Sequence, residues 1–258
     1  MEQLEQFAPN NQACKRAVIV GGGLIGIELA EMLLSRNIPV TFLVREKSFW
    51  NEVLPYQESE MINRHIREHN VDLRLNTQLK EIKANGEGQV SSVIIEETRE
   101  EILCDLVGLT TGVSPNIDFV KNSNIMTNTG ILVNRFLETN IPNVYAIGDC
   151  AEQKEPLGER KAIEAVWYTG RMMGETLAQT ICKKRMAYSP EHWFNSAKFF
   201  DIRVGVALSF NIEAFTSSSS TFDGSTSQTI LFLSKIFFLT PLLEANIIFI
   251  YFFLFHKF

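Results

Sequence analysis

The chain has 258 residues, 45% of them hydrophobic and 21% charged, with a net charge of −6 at neutral pH. That length supports one large or two modest domains with a buried core, and the balance of side chains is that of a globular protein. The acidic charge and the lack of a basic stripe weigh against a nucleic-acid partner. Four well-separated cysteines with no C-x-x-C pair suit reduced intracellular thiols rather than a disulfide framework or a cysteine zinc site.

Residues 1–13 are polar and read as a linker. From Lys15 to about Gly112 strands and helices alternate: residues 18–20 as a strand, 25–36 a helix, 40–44 a strand, 59–68 a helix and 71–75 a strand. Residues 89–96 and 101–110 read as a meander returning toward the sheet. A βαβαβ order predicts parallel strands with right-handed crossovers, hence an α/β fold. Residues 130–133 and 144–147 follow as short strands flanking a polar loop, and 163–181 as a helix carrying Gly170 and Gly174.

Past about Ile202 the composition changes. Eleven of the 19 phenylalanines fall in the last 56 residues, with only six charged side chains. The Ser/Thr run 216–221 reads as a flexible segment. Residues 236–255 match the length of a bilayer span, but Glu244 in its middle is costly, so a membrane anchor is the less favoured reading beside a divergent, unselected extension.

Two motifs carry chemistry. Ala17-Val-Ile-Val-Gly21-Gly22-Gly23-Leu-Ile25-Gly26-Ile-Glu28 is an apolar strand, a glycine turn and the start of a helix. Gly21 permits the tight turn, Gly23 lets the backbone approach a pyrophosphate, and Gly26 allows close helix–strand packing. The helix beginning there, at Ile25, presents free N–H groups and a positive dipole end to phosphates. A lone G-x-G-x-x-G is a weak signal; this one has the strand before it and the amphipathic helix after it. At the end of the next strand stands Arg45-Glu46-Lys47. Arg45 falls where it could pair a ribose 2′-phosphate, favouring NADPH, whereas Glu46 turned inward would serve NADH. The balance leans slightly to NADPH or to dual use, and the plain alternative is a solvated charged loop. The second motif, Thr139-Asn-Ile-Pro-Asn-Val-Tyr-Ala-Ile-Gly148-Asp149, ends a strand in Gly-Asp.

Together with Asp105-Leu-Val-Gly-Leu-Thr-Thr-Gly112-Val-Ser-Pro115-Asn116, these motifs give the chain a specific resemblance over residues 8–202. It resembles the pyridine nucleotide-disulfide oxidoreductases, FAD flavoproteins of the NADH oxidase and rubredoxin reductase kind. Residues 188–200 look like those enzymes' entry into a C-terminal interface domain. The resemblance implies a Rossmann-like NAD(P)-binding domain over 14–111, the C-terminal part of a split FAD-binding domain over 112–188, the start of the interface domain over 189–202, and a divergent apolar tail over 203–258. It implies that Asp149 meets a ribityl hydroxyl of FAD, with the Gly148 amide near the flavin phosphates. Glu28 would sit by the nicotinamide carboxamide, and Gly112 would line the nucleotide cleft. The implied activity is hydride transfer from NAD(P)H to FAD and on to an acceptor: oxygen, a small redox protein or a disulfide. A homodimeric parent enzyme and a cytoplasmic location go with it. The family's first FAD glycine motif, which should lie upstream, is absent, so the chain reads as a fragment lacking the N-terminal FAD half.

Two further patterns are set aside at this level. His65-Ile-Arg-Glu68-His69 matches H-x-x-E-H, which puts two imidazoles on one helix face, but it reads more simply as the solvated face of the second helix. Cys150, next to Gly-Asp, reads as a small packed thiol rather than a redox centre.

Overall fold

In the computed structural model the described residues are 2–51, 53–158, 160–190 and 193–208, with the short strand segments 228–233, 236–237 and 246–252. They divide into two compact units: one runs to Val113 and includes Ala197–Arg203, and the other holds Ser114–Ser196 and the described residues from Val204 onward.

The first unit opens on a short helix, α1 (Glu2–Phe7), so the segment expected as a linker begins with ordered structure. Ala8 after it is buried, and Glu5 pairs with Arg36. Strand β1 (Ala17–Val20) leads through the glycine turn into α2 (Leu24–Leu34), followed by β2 (Val40–Leu43), α3 (Tyr56–Glu68) and β3 (Asp72–Arg74). Then come β4 (Leu79–Ala84), β5 (Val90–Ile95), β6 (Glu101–Leu103) and β7 (Leu106–Leu109). The main sheet has the order β3-β2-β1-β7, and all three pairings are parallel. That is the order expected of a doubly wound sheet, whose switch point falls between β1 and β7.

The two faces of this sheet are covered differently. β4, β5 and β6 form an antiparallel meander. Its Val93, Ile95 and Ile102 bury themselves against Val18, Leu43 and Cys104. Helix α2 supplies Ile27, Ala30 and Leu33 as its buried stripe. On β7 the bare Cα of Gly108 makes room for Leu29: a Cβ there would stand 2.4 Å from the leucine Cδ2. Helix α3 buries Ile62 and Ile66 and holds the preceding loop through Asn63, which accepts from the Phe49 amide at 2.8 Å and donates to Ser48 Oγ at 2.7 Å.

Several expected boundaries move. The single stretch 101–110 is two strands, because the chain turns at Cys104–Asp105, whose carboxylate accepts from the Lys15 and Arg16 amides. β4 went unforeseen: Leu-Lys-Glu-Ile-Lys-Ala is mostly exposed and offers little apolar pattern.

In the second unit β8 (Ile131–Val133) pairs in parallel with β9 (Ala151–Gln153). Glu152 clamps the approach to β8, accepting from the Gly130 amide at 2.7 Å and from Asn128 Nδ2 at 2.9 Å. The strand expected over 144–147 does not form. Thr139 folds its hydroxyl onto the carbonyl of Val144 at 2.9 Å, which closes a tight turn and leaves a single Glu138–Tyr145 bridge. The helix expected over 163–181 is α4 (Trp167–Ile181). Its first residues stay extended, with Val166 at φ −133° and ψ 130°, because the Glu164 carboxylate is tied to Arg160 at 2.6 Å and to the Thr169 hydroxyl at 3.3 Å. Met173 of α4 packs with Ile131, Val133, Leu137, Ala146 and Tyr188 into this unit's core.

The chain then enters β10 (Trp193–Phe199) and β11 (Ile202–Leu208). Segment 216–221 lies outside the described residues, and so does most of 236–255, whose described parts belong to the strands Ile236–Phe237 and Asn246–Phe252. Among the described residues no helix is long and apolar enough to cross a membrane.

Candidate functional site: a glycine-turn cleft

The cleft of the first unit opens at the carboxyl ends of β1, β2 and β7, where the strand order reverses. It measures about 550 Å³ and is bordered by the glycine turn, Arg45, Glu46, Trp50 and the 109–112 segment. That volume lies within the range of ligand sites, and the position is where open α/β sheets bind ligands.

Each glycine of the turn has its own geometry. Gly21 sits at φ +115°, and a Cβ on it would lie 2.6 Å from the Thr110 carbonyl oxygen. Gly26 is pressed from three sides: its Cβ would meet Thr110 Oγ1 at 2.9 Å, the Gly21 carbonyl at 3.0 Å and the Phe42 ring at 3.0 Å. Gly22, which carried no role in the sequence reading, is also crowded, with Val44 Cγ1 at 2.9 Å from its would-be Cβ. Gly23 differs from all three, since nothing lies within 4 Å of where its Cβ would be. The turn is therefore tight against the sheet at Gly21, Gly22 and Gly26 and open on the side of Gly23.

Gly23 is also the N-cap of α2 and has no side chain to satisfy the amides that follow. The first turn of α2, with Ile25 in it, thus presents backbone N–H groups and the positive end of the helix dipole, and no acidic residue of that turn competes for them. Ile25 is half-exposed on this turn, and Glu28 is exposed one step further along α2.

Thr110 is the residue that sequence reasoning passed over. Its hydroxyl donates to the Val20 carbonyl at 2.9 Å, and its backbone N–H donates to the same oxygen at 2.8 Å. It ties the end of β7 to the end of β1 and floors the glycine turn. Gly112, at φ +124°, turns the chain away just beyond it. Thr110, Trp50 and Thr77 all follow the carboxyl end of a parallel strand, and that position was the available signal for them.

Arg45 and Glu46 both reach the cleft rim and are engaged with each other. The guanidinium donates to Glu46 Oε1 at 2.8 and 3.1 Å, with Arg45 largely exposed and Glu46 partly buried. As an exposed pair it adds little stability, so a phosphate group could compete for the guanidinium at small cost.

In the second unit Gly148 and Asp149 begin a 3-10 turn, Gly148–Cys150, that follows extended Ile147. Gly148 has φ +76°, and nothing lies within 4 Å of its would-be Cβ. Its amide points at Met173 Sδ, 3.4 Å away, while Gly170 of α4 comes within 3.5 Å of its Cα when given a Cβ. Small residues on α4 thus allow the Gly-Asp turn to lie against the helix. Asp149 is exposed. Cys150 is half-buried beside the core, its thiol facing the Ile147 carbonyl at 3.7 Å, as expected of a packed thiol.

Comparison with known proteins identifies the family. A family model described as pyridine nucleotide-disulphide oxidoreductase matches residues 1–174. The rubredoxin-NAD(+) reductase of Acinetobacter baylyi is 34% identical over 138 residues, covering 54% of this chain and 35% of that protein. The NAD(P)H coenzyme A polysulfide/persulfide reductase of Pyrococcus horikoshii is 30% identical over 206 residues, covering 79% of this chain and 44% of that protein. The chain therefore spans less than half the length of these curated relatives. In fold it is similar to a ferredoxin reductase from Rhodopseudomonas palustris, with a TM-score of 0.70 at 22% identity over 78% of this chain and 48% of that one. A doubly wound sheet, a glycine turn fitted residue by residue to its neighbours, and a family model spanning both units lead to one conclusion: the chain belongs to the pyridine nucleotide-disulphide oxidoreductase family.

Proposed function

We propose that the first unit is an NAD(P)H-binding domain and the second the C-terminal part of an FAD-binding domain, serving a flavoprotein that passes reducing equivalents from NAD(P)H to an electron acceptor. The observation that carries this reading is the glycine turn, crowded at Gly21, Gly22 and Gly26 and open at Gly23 above the uncapped start of α2. Only the open side leaves room for a ligand, and the groups there are donors, which suits a pyrophosphate.

When bound, the nicotinamide and flavin supply the hydride chemistry. The chain's own residues position and shield. The Gly23 and Ile25 backbone cradles phosphate, Gly21 and Gly26 hold the turn against β7, and Gly112 gives the cleft its far wall. Glu28, exposed on α2 and outside the residues that border the cleft, would sit by the nicotinamide carboxamide. Arg45 is the candidate partner of a 2′-phosphate and Glu46 of ribose hydroxyls, so we assign use of NADPH or of both nucleotides. Asp149 would accept from a ribityl hydroxyl of FAD; the Gly148 amide, here directed at Met173 Sδ, would have to turn from the sulfur to serve the flavin phosphates.

The relatives named as rubredoxin and persulfide reductases support an acceptor that is a small redox protein or a sulfur compound. We place the protein in the cytoplasm, in keeping with four unpaired cysteines, and take the parent enzyme to be homodimeric.

The deciding experiment titrates the purified chain with NADH, NADPH and FAD separately by calorimetry and follows NAD(P)H oxidation after FAD is added. Saturable nucleotide binding supports the first unit's role, and a retained yellow chromophore with NAD(P)H oxidation supports the second's. Nucleotide binding without flavin retention would mean that this stretch alone is a non-catalytic NAD(P)-binding module. Absence of nucleotide binding would overturn the proposal.

A further inference from the structure

The H-x-x-E-H segment closes α3, with His65 in its last turn and His69 as its C-cap, and the i, i+4 spacing brings the two rings together on one side. The fold adds a third group that no local pattern contains: Asp201, from the turn between β10 and β11. It belongs to the same compact unit as α3. We propose that His65, His69 and Asp201 form a binding site for one zinc-type divalent metal ion, which clamps the 197–203 turn onto α3.

Proton bookkeeping carries the argument. His69 Nδ1 lies 3.0 Å from the His65 carbonyl oxygen. A carbonyl only accepts, so Nδ1 carries the hydrogen, and in the neutral ring Nε2 is a bare lone pair. That lone pair stands 3.4 Å from Asp201 Oδ1. His65 Nε2 lies 2.6 Å from the same oxygen, yet it is buried and makes no aligned hydrogen bond. On the other side of its ring, His65 Nδ1 faces Glu68 Oε2 at 3.7 Å. The three ligand atoms all lie within 4.8 Å of one another. Two imidazole nitrogens and a carboxylate oxygen thus lie within reach of one ion; His65, whose Nε2 stands against the carboxylate as an N–H, becomes a ligand when that proton moves to Nδ1, on the side of Glu68. Among the described residues no lysine or arginine pairs with Asp201; its partners there are these two histidines.

Geometry and ligand type select the ion. Ligands about 2.0–2.1 Å from a tetrahedral zinc stand roughly 3.3 Å apart. The 3.4 Å separation already fits, and the 2.6 Å one needs a small opening. Asp201, about two-thirds exposed on its turn, is free to make that adjustment. Two imidazoles with one carboxylate suit zinc, cobalt or nickel and are poor for calcium or magnesium. Outer partners are present as well: the backbone carbonyl sets the His69 tautomer, and Phe200 stacks on the His69 ring at 4.2 Å with planes 7° apart, fixing its orientation. The outward side of His69 and Asp201 is solvent-accessible, so water fills the fourth position.

The test uses the full chain stripped of metal with a chelator and titrated with Co²⁺. One equivalent should give the visible d–d absorption of a tetrahedral cobalt site, without the thiolate charge-transfer band that a cysteine ligand would add, and Zn²⁺ should bleach it. His69→Ala and Asp201→Asn should each abolish the band. Asp201→Asn changes an exposed turn residue, so it decides the matter should His69→Ala disturb folding by circular dichroism. Glu68→Gln should weaken binding about tenfold, and Cys182→Ser should change nothing. No saturable band in the parent chain would mean that the cluster holds only a proton. A band of full strength in both His69→Ala and Asp201→Asn would place the metal elsewhere. Either result overturns the proposal.

Discussion

The two glycine turns answer the same chemical need in opposite ways. At Gly21 and Gly26 the backbone is pressed against Thr110 and Phe42, and every neighbour that defines the turn belongs to the same unit. At Gly148 the backbone also takes a left-handed conformation, but it faces open space. Buried polar atoms without a hydrogen-bond partner among the described residues occur in both units, Glu31 Oε1, Glu58 Oε2 and His65 Nε2 in the first and the Gln153 amide and Arg160 Nη1 in the second, so they do not separate the two turns. The difference teaches that a glycine's importance lies in what surrounds the missing Cβ, not in the motif letter.

Substitution can break that comparison. Gly21→Ala combines a backbone at φ +115° with a 2.6 Å clash against a carbonyl oxygen. It should destabilise the first unit by about 3 kcal/mol, read as a lowered urea midpoint, and should abolish nucleotide binding; an unchanged midpoint would show that the turn is not locked as described. Next in size, Arg45→Glu should weaken NADPH about tenfold or more, the worth of one charge-assisted hydrogen bond, with NADH changed little. Equal losses for both nucleotides would remove the phosphate-pairing role. Gly148→Ala, which meets no atom, should cost only about 1 kcal/mol from the left-handed backbone. If it costs as much as Gly21→Ala, the contrast between the turns fails.

The smallest effect concerns reactivity alone. Burial, with the Asp105 carboxylate adding to it, pushes the Cys104 thiol up to about 11. At pH 8 Cys104 should resist iodoacetamide while exposed Cys182 reacts, because only the thiolate is the nucleophile. Mass spectrometry of the labelled chain checks this, with Cys104 becoming reactive only in urea.

Much of the first unit was legible because its signals are local. β1 is an unbroken apolar run and β2 is apolar apart from Thr41, both buried or nearly so along their length, and α2 carries its apolar stripe at helical spacing. The glycine motif was legible for the same reason, as strand, turn and helix are contiguous. What escaped depends on distant partners. β4 is an exposed edge-like strand whose pairing with β5, rather than its own pattern, defines it. The first residues expected in α4 are apolar enough for a helix, yet the Arg160–Glu164 pair holds them extended. Thr110 looked like one threonine among several until β7 was placed beside β1. Asp201 had no local reason to be grouped with His65 and His69, since only the tertiary fold brings that turn to α3.

The aromatic contacts beside that turn bear on how the protein is made. Phe199 meets Phe49 edge-on at 6.1 Å and Trp50 at 5.2 Å, while Phe49 in turn meets Phe42 at 5.4 Å. Phe199 is fully buried. Its partners leave the ribosome far ahead of it. At 5–20 residues per second the nascent first unit waits on the order of ten seconds, with the Phe49 pocket uncapped, before the residue that closes it is synthesised. Its folding is thus held to the pace of translation: the sheet and helices can form early, but the last aromatic layer arrives only after the second unit's segment has emerged.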